Sequence, residues 1–264
     1  MYVWFLGHCF ENFIPKNIMK ITIVIPALNE EKAIGAVLDQ IPVSELNARG
    51  YEVEKLVVDN GSTDNTVSIA KKHGAVVVNE QERGYGNAYK TGFARASGDI
   101  VVTGDADMTY PFDELPELMK TFEQEQIDFM TTDRLTTLGN NVMTKTHVFG
   151  NWVLSTITRI LFNWPFKDSQ SGMWVFKRSI WPTLDVPSTG MPFSQEIKIE
   201  AYIKGHRCTE VPVTYRARVG EVKLSTFKDG FFNTLHLFTK YMKTLKGDTV
   251  LIKRIITESR RVYR

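Results

Sequence analysis

From residue 21 to residue 131 the chain alternates short β-branched runs with stretches of helical periodicity, and this alternation restricts the fold more than any other feature. The runs at 21–25, 55–58, 75–78, 100–103 and 127–131 read as strands, and the stretches at 31–40, 65–72, 86–96 and 112–123 as helices. Strands that take turns with helices predict an α/β protein, with a parallel sheet covered by helices. Asp64 is placed to cap the second helix, its carboxylate accepting from the free N–H groups of the first turn. In open sheets of this kind ligands bind beyond the carboxyl ends of the strands. The residues that matter are then 26–30, 59–64, 79–86 and 104–111.

After residue 133 the pattern changes to a helix at 147–162, a strand at 173–176, a helix at 194–204 and a strand at 208–213. This half is expected to extend the sheet and to form the side of the site away from the first four strand ends. Residues 228–264 read as one or two amphipathic helices broken near Gly247-Asp248, and residues 1–18 as an extension outside the fold, leaving 19–227 as the folded domain. The extension lacks the basic start, continuous apolar stretch and small-residue cleavage site expected of a signal peptide. Its removal is expected to leave activity intact. No apolar run reaches the roughly 18 to 20 residues that span a bilayer. With 43% hydrophobic residues in 264 there is material for one large core, and a net charge of +2 argues against bulk nucleic-acid binding. Only Cys9 and Cys208 are present, which excludes a disulfide framework or a cysteine-built zinc site and favours a reducing, cytosolic setting.

Asp105-Ala106-Asp107 directly follows the strand at 100–103. Two carboxylates two residues apart at a strand end suit a hard cation: magnesium or manganese, its shell completed by phosphate oxygens and water, would neutralise charge on a departing diphosphate. A solvated turn opening the next helix is the alternative. The neighbouring strand ends bear on the choice. In Asp59-Asn60-Gly61-Ser62-Thr63-Asp64, Asp59 can accept from a nucleobase N–H edge and Asn60 can reach base or ribose. Pro26-Ala27-Leu28-Asn29-Glu30 can wall the base, with Glu30 either touching ligand or opening a helix. Arg83-Gly84-Tyr85-Gly86-Asn87 brings two glycines and a cation to a helix start, a place for phosphate or an ordinary glycine turn. Gly84-Tyr85-Gly86 lacks the third glycine of the dinucleotide fingerprint, which argues against an oxidoreductase.

In this order the motifs resemble the family 2 glycosyltransferases of GT-A fold, and within them the dolichyl-phosphate mannose and glucose synthases. The resemblance covers residues 20 to 229 and rests also on Gly98-Asp99, Asp105 through Pro111, Asp168-Ser169-Gln170-Ser171-Gly172 and Arg218 through Ser225. It implies a Rossmann-like, mostly parallel sheet flanked by helices, with C-terminal amphipathic helices. It implies a donor site for a GDP- or UDP-hexose, for which Pro26, Leu28, Glu30, Asp59, Asn60, Gly84, Asp105 and Ala106 are the candidates, and a metal on Asp105 and Asp107. Asn60 stands where the family usually has a second aspartate, and Thr109 where mannosyl-lipid relatives often have glutamine.

A hydroxyl acceptor calls for a general base, whereas a phosphate monoester is already anionic near neutral pH. Arg134, Arg218 and Lys223 are candidates for the acceptor phosphate, with Arg216 nearby; a solvated basic loop is the alternative for the later cluster. Asp107, Asp168 and Arg134 are the catalytic candidates, Asp168 serving to orient the acceptor, to stabilise the sugar, or to act as base for a hydroxyl. A polyprenyl phosphate implies a peripheral enzyme on the cytoplasmic face of a membrane. Two helical stripes fit that surface: Phe149, Val153, Ile157, Ile160 and Trp164, and Phe231, Leu235, Phe238, Met242 and Leu245 with Lys240, Lys243 and Lys246 nearby. Lys253, Arg254, Arg260, Arg261 and Arg264 form a basic tail. Packing of both stripes on the core is the alternative. Two other functions compete: a family 2 transferase acting on a hydroxyl in cell-surface glycan synthesis, and a non-catalytic nucleotide-sugar-binding or scaffold subunit.

Overall fold

The computed structural model describes residues 18–139, 142–220 and 226–247, with side chains of the last stretch described from 230 to 245. In chain order the elements are β1 (Met19–Ala27), α1 (Ile34–Asp39), α2 (Val43–Ala48), β2 (Tyr51–Asp59), α3 (Thr66–Lys72), β3 (Val76–Asn79), α4 (Tyr85–Arg95), β4 (Ile100–Thr103), α5 (Leu115–Gln124), β5 (Phe129–Asp133), α6 (Lys145–Phe162), β6 (Trp174–Lys177), α7 (Phe193–Ile203), β7 (Cys208–Pro212) and α8 (Thr226–Gly247). The strands form one sheet in the order β3-β2-β1-β4-β6-β5-β7, parallel except for β6, which runs against both β4 and β5.

The sheet is buried on both faces because successive strand side chains point to opposite sides. Ile21, Ile23, Ile25, Val57 and Val102 enter one apolar cluster with α1 and α5, while Val24, Leu56, Val58, Val101 and Trp174 enter another with α4 and α7. α4 lies close on the sheet through Gly92, where a Cβ would stand 2.4 Å from Val24 Cγ1.

Two features of the order place the site. β2 and β4 flank β1, so the chain reverses its direction of travel across the sheet there, and open sheets of this kind bind ligands at such a point, beyond the strands' carboxyl ends. Because β6 is antiparallel, its beginning sits at those same ends: Trp174 pairs with Thr131, and Thr103 Oγ1 donates to Gly172 O at 2.9 Å. The turn at 168–172 is thereby brought beside the acidic turn after β4.

The expected elements are present with shifted ends. The first helix begins at Ile34 rather than 31, the helix expected at 112–123 is a single 3-10 turn (Phe112–Glu114) followed by α5, and α2 was not anticipated. No described helix is long and apolar enough to cross a membrane. α8 packs against α6 with a divided surface. Phe231, Leu235, Phe238, Met242 and Leu245 all face outward, Phe231 being 66% exposed, and Phe232 joins them. Two details of the expected stripes are corrected. Trp164 is only 3% exposed, because Asn163 ends α6 in a left-handed conformation and turns the chain inward. Lys240 does not flank an outer face; it is buried at 5% exposure, held by carboxylates of α7. The leader before residue 18 and the basic tail beyond 247 lie outside the described residues.

Candidate active site

The acidic turn is built by the end of β4. Asp107 is 1% exposed; its Oδ1 accepts from Thr109 N at 3.0 Å and Thr109 Oγ1 at 2.5 Å, and its Oδ2 pairs with Arg218 Nη2 at 2.5 Å. Met108 takes a positive φ of 70°, which tightens the turn enough for those bonds. Arg218 arrives because the segment after β7 runs beside the turn, with Val219 N donating to Asp107 O and Arg216 N to Thr109 O, each at 2.9 Å. Ala106 is buried between the two acids. Thr109, at the position where mannosyl-lipid relatives often have glutamine, braces the Asp107 carboxylate from within.

Burial first, and the Asp107 carboxylate second, push Asp105 up to about 7, against the pull of Arg218 and Arg134. Two acids that repel one another on a single turn suit a divalent cation, which would relieve that repulsion. Among the described residues no group of three or more His, Cys, Asp or Glu is placed to hold a metal. The candidate donors are the carboxylates of Asp105 and Asp107, whose shell oxygens of a substrate and water would complete. The wall opposite is tight: a Cβ at Gly172 would lie 2.7 Å from Tyr85 Oη and 3.6 Å from Asp105 Oδ1.

At the ends of β1 and β2, Pro26 and Leu28 are partly exposed, and Asp59 is buried with Oδ1 accepting from Ser62 N at 3.1 Å. Glu30 does two things. Its carbonyl accepts from Ala33 N and Ile34 N to open the helix, while its carboxylate reaches the 216–220 segment, 3.3 Å from where a Gly220 Cβ would be. Asp64 is not the N-cap of α3, a place taken by Asn65; it stands one residue earlier and accepts from Thr66 N at 3.0 Å, the first N–H of that helix. Asn60 is engaged by the chain itself: its amide donates to Glu80 O and Glu82 O, both at 3.0 Å, and accepts from Gly84 N at 2.9 Å. It ties the end of β2 to the glycine turn. Gly84 has φ 148°, and a Cβ there would meet Thr189 O at 2.4 Å, so no other residue fits the approach to α4.

Arg134 and Asp168 form a forked pair, Nε to Oδ2 at 2.7 Å and Nη2 to Oδ1 at 3.0 Å, with Arg134 N also donating to Oδ2 at 3.2 Å. Gln170 N donates to the Asp168 Oδ1 as well, at 3.0 Å. Burial would raise Asp168, but the Arg134 guanidinium, aided by Lys198, outweighs it and holds the carboxyl below its ordinary range. A carboxylate so held is a weak base; its geometry orients Arg134, whose guanidinium also faces the Tyr215 ring at 5.3 Å. Lys223 lies outside the described residues, so of the expected acceptor set only Arg134 and Arg218 are seen, both beside the acidic turn.

Lys198 and Tyr110 escaped sequence reasoning. Lys198, fully buried on α7 and lowered by burial to about 7, donates to Ser171 O at 2.7 Å; Tyr110 Oη accepts from Gly172 N at 2.5 Å. Both pin the 168–172 turn from below. The available signal was the charged run of α7, where Glu196, Lys198 and Glu200 alternate with apolar residues and leave no polar face for solvent.

Residues 22–183 match the family described as Glycosyl transferase family 2. The low-salt glycan biosynthesis hexosyltransferase Agl6 of Haloferax volcanii is 36% identical over 214 residues, 80% of this chain but 51% of the relative, so the chain spans about half that protein's length. The dolichyl-phosphate hexose transferase of the same organism is 32% identical over 80% of this chain and 89% of its own. Among solved structures, glucosyl-3-phosphoglycerate synthase from Mycobacterium tuberculosis in complex with Mn2+, UDP and phosphoglyceric acid superposes with a TM-score of 0.69 at 25% identity, covering 84% of this chain and 78% of that one. Motif order, sheet topology and these likenesses agree: the chain belongs to the family 2 glycosyltransferases and has their GT-A fold.

Proposed function

We propose that this glycosyltransferase moves a hexose from a nucleotide-diphosphate sugar to a polyprenyl phosphate, with inversion, at the cytoplasmic surface of a membrane. The observation that carries the reading is the company of the Asp105/Asp107 pair: two arginines, Arg134 and Arg218, stand in the same crevice, and its third acid, Asp168, is locked in an ion pair. With Asp168 engaged by Arg134, the site offers guanidinium groups in place of a free base, which suits an acceptor that is already an anion. The two Haloferax relatives, named as hexosyltransferases and one of them for dolichyl phosphate, support the same substrate class.

In the reaction an acceptor phosphate oxygen attacks the anomeric carbon while the bond from that carbon to the diphosphate breaks, its electron pair leaving on the diphosphate oxygen. One displacement inverts the centre. Asp105 and Asp107 would hold magnesium or manganese, which would supply neutralising charge to the diphosphate. Asp59, Pro26 and Leu28 line the nucleotide side, and the start of α4 at Gly84-Tyr85 turns its positive end to the diphosphate. Arg134, kept rigid by Asp168, and Arg218 hold the acceptor phosphate. A hydroxyl acceptor would need Asp168 as base, and its depressed titration and engaged oxygens weigh against that role. A panel of GDP- and UDP-hexoses, assayed with Mg2+ or Mn2+ and vesicles holding polyprenyl phosphate, should place label in the organic phase. Label reaching only a water-soluble glycan overturns the lipid acceptor.

Membrane contact is assigned to the outward face of α8. Replacing Phe231, Leu235 and Phe238 together by serine should weaken cosedimentation with anionic vesicles about a hundredfold, each ring or branched chain losing about 1 kcal/mol of partial burial. These side chains are exposed, so the melting temperature should hold. Undiminished vesicle binding by the triple variant counts against the assignment.

A further inference from the structure

Beneath its apolar outer face α8 packs Leu237 and Tyr241 into an apolar cluster with α6, and beside them it meets α7 through polar side chains. Asn233, Lys240 and Thr244 are buried, as are Gln195, Glu196 and Glu200 on α7. Glu196 stands at the centre of this contact. Its Oε1 accepts from His236 Nε2 at 3.1 Å and lies 3.6 Å from Lys240 Nζ, while its Oε2 accepts from Ser188 N at 3.0 Å. Lys240 also pairs with Glu200 and donates to Asp185 O at 2.9 Å, and Asp185 N donates back to Glu200 Oε2 at 3.3 Å. The segment 185–188 is thus gripped at both ends by charges shared between α7 and α8.

That segment leads straight to the donor side. Thr189 O accepts from Asn87 N at 3.1 Å, and Lys90 Nζ donates to Pro187 O at 2.9 Å. The backbone at 188–189 presses on the glycine turn so closely that a Cβ at Gly86 would stand 2.6 Å from Ser188 O. A shift of Ser188 must therefore move the first turn of α4. A buried ion network adds little net stability over apolar packing of equal volume. What it supplies is fixed geometry, since each charge must keep its partners.

We propose that Glu196 is a positioning residue for the donor: through Ser188 and Thr189 it sets the Gly84–Gly86 turn, and through His236 and Lys240 it makes that setting depend on how α8 is seated. The inference rests on reading the turn as the site of the donor diphosphate. It links the helix that carries the exposed apolar face to the pocket that holds the nucleotide.

The test uses the full chain carrying Glu196→Gln, Glu196→Asp or His236→Ala, with lipid-linked product, nucleoside diphosphate binding in Mn2+ and melting temperature all measured. Glu196→Gln should raise donor KM and the nucleotide Kd about tenfold, as small displacements of positioning groups do, and leave acceptor KM unchanged. Glu196→Asp should recover part of the loss by restoring the charge. His236→Ala, which cuts the α8 side and keeps the Ser188 contact, should raise donor KM by about threefold while vesicle binding is retained. A fall in melting temperature with donor KM and Kd unchanged in both Glu196→Gln and His236→Ala would make the network merely structural and overturn the proposal. Should Glu196→Gln fail to fold, His236→Ala alone decides by the same readout. An unaltered chain that binds no nucleoside diphosphate refutes the donor-site reading itself, and this inference with it.

Discussion

Asp107→Asn should lower turnover by about a thousandfold, the effect of losing about 4 kcal/mol of charge stabilisation at a departing diphosphate. Asparagine has the same shape, and its Oδ1 can still accept from Thr109 N, so the turn after β4 should survive and circular dichroism should match the parent. What it lacks is the charge that, with Asp105, makes the crevice a place for a divalent cation. Arg218 also loses the carboxylate it pairs with, which leaves an excess of positive charge where two acids were balanced. Turnover measured across a Mg2+ or Mn2+ titration is the decisive readout. A variant within tenfold of the parent, with the same metal dependence, would remove Asp107 from the machinery. Asp105→Asn should be severe as well, and because Asp105 is the acid pushed up to about 7, that substitution should cost the fold less than it costs the reaction.

Asp168→Asn should be costly in both stability and activity. It leaves Arg134 buried without its counter-charge, and breaking one side of such a pair costs about 3–5 kcal/mol. For a chain of this size that corresponds to a fall of roughly 10 °C in melting temperature. Turnover should drop at least about a hundredfold, because Arg134 loses the fork that aims it. In the parent protein the pair's contribution is present throughout the neutral range: the Asp168 carboxyl titrates below its ordinary value, so support is lost only as the pH falls through that lowered value. A double variant, Arg134→Met with Asp168→Leu, separates the two consequences. Removing both charges should restore much of the stability, since no uncompensated ion remains, and should leave the enzyme inactive. If the double variant recovers turnover together with stability, the pair serves the fold alone.

These two acids differ in how they could be read. Asp105 and Asp107 follow an apolar strand directly, and a strand with period-two side chains in an open sheet delivers its next residues to the ligand-binding edge whatever the rest of the chain does. The same reasoning reached Asp59, Gly84 and Glu30, each a few residues beyond a strand that was legible from its own composition. Asp168 offered no such local signal. Its partner is 34 residues away, and the two meet only because β6 enters the sheet antiparallel between β4 and β5.

The sequence by itself therefore determined the α/β class, the strand ends that bear the chemistry, the acidic pair and the existence of a two-faced helix near the C-terminus. Those properties are local, since each follows from periodicity over a few residues or from two charges on one turn. The tertiary structure decided which face of that helix turns inward. Hydrophobic periodicity alone says that α8 has an apolar stripe and a polar one, and ordinary packing would bury the apolar stripe. Here α7 offers Glu196, Glu200 and the amide of Gln195, and burying these groups requires hydrogen-bonding and cationic partners, so His236 and Lys240 turn inward and the phenylalanines outward. The tertiary structure likewise engaged Asn60 with the Gly84 turn. In both cases the choice lies between partners far apart in the chain, and it is settled by which buried polar groups must be satisfied together, a condition that no local stretch of sequence contains.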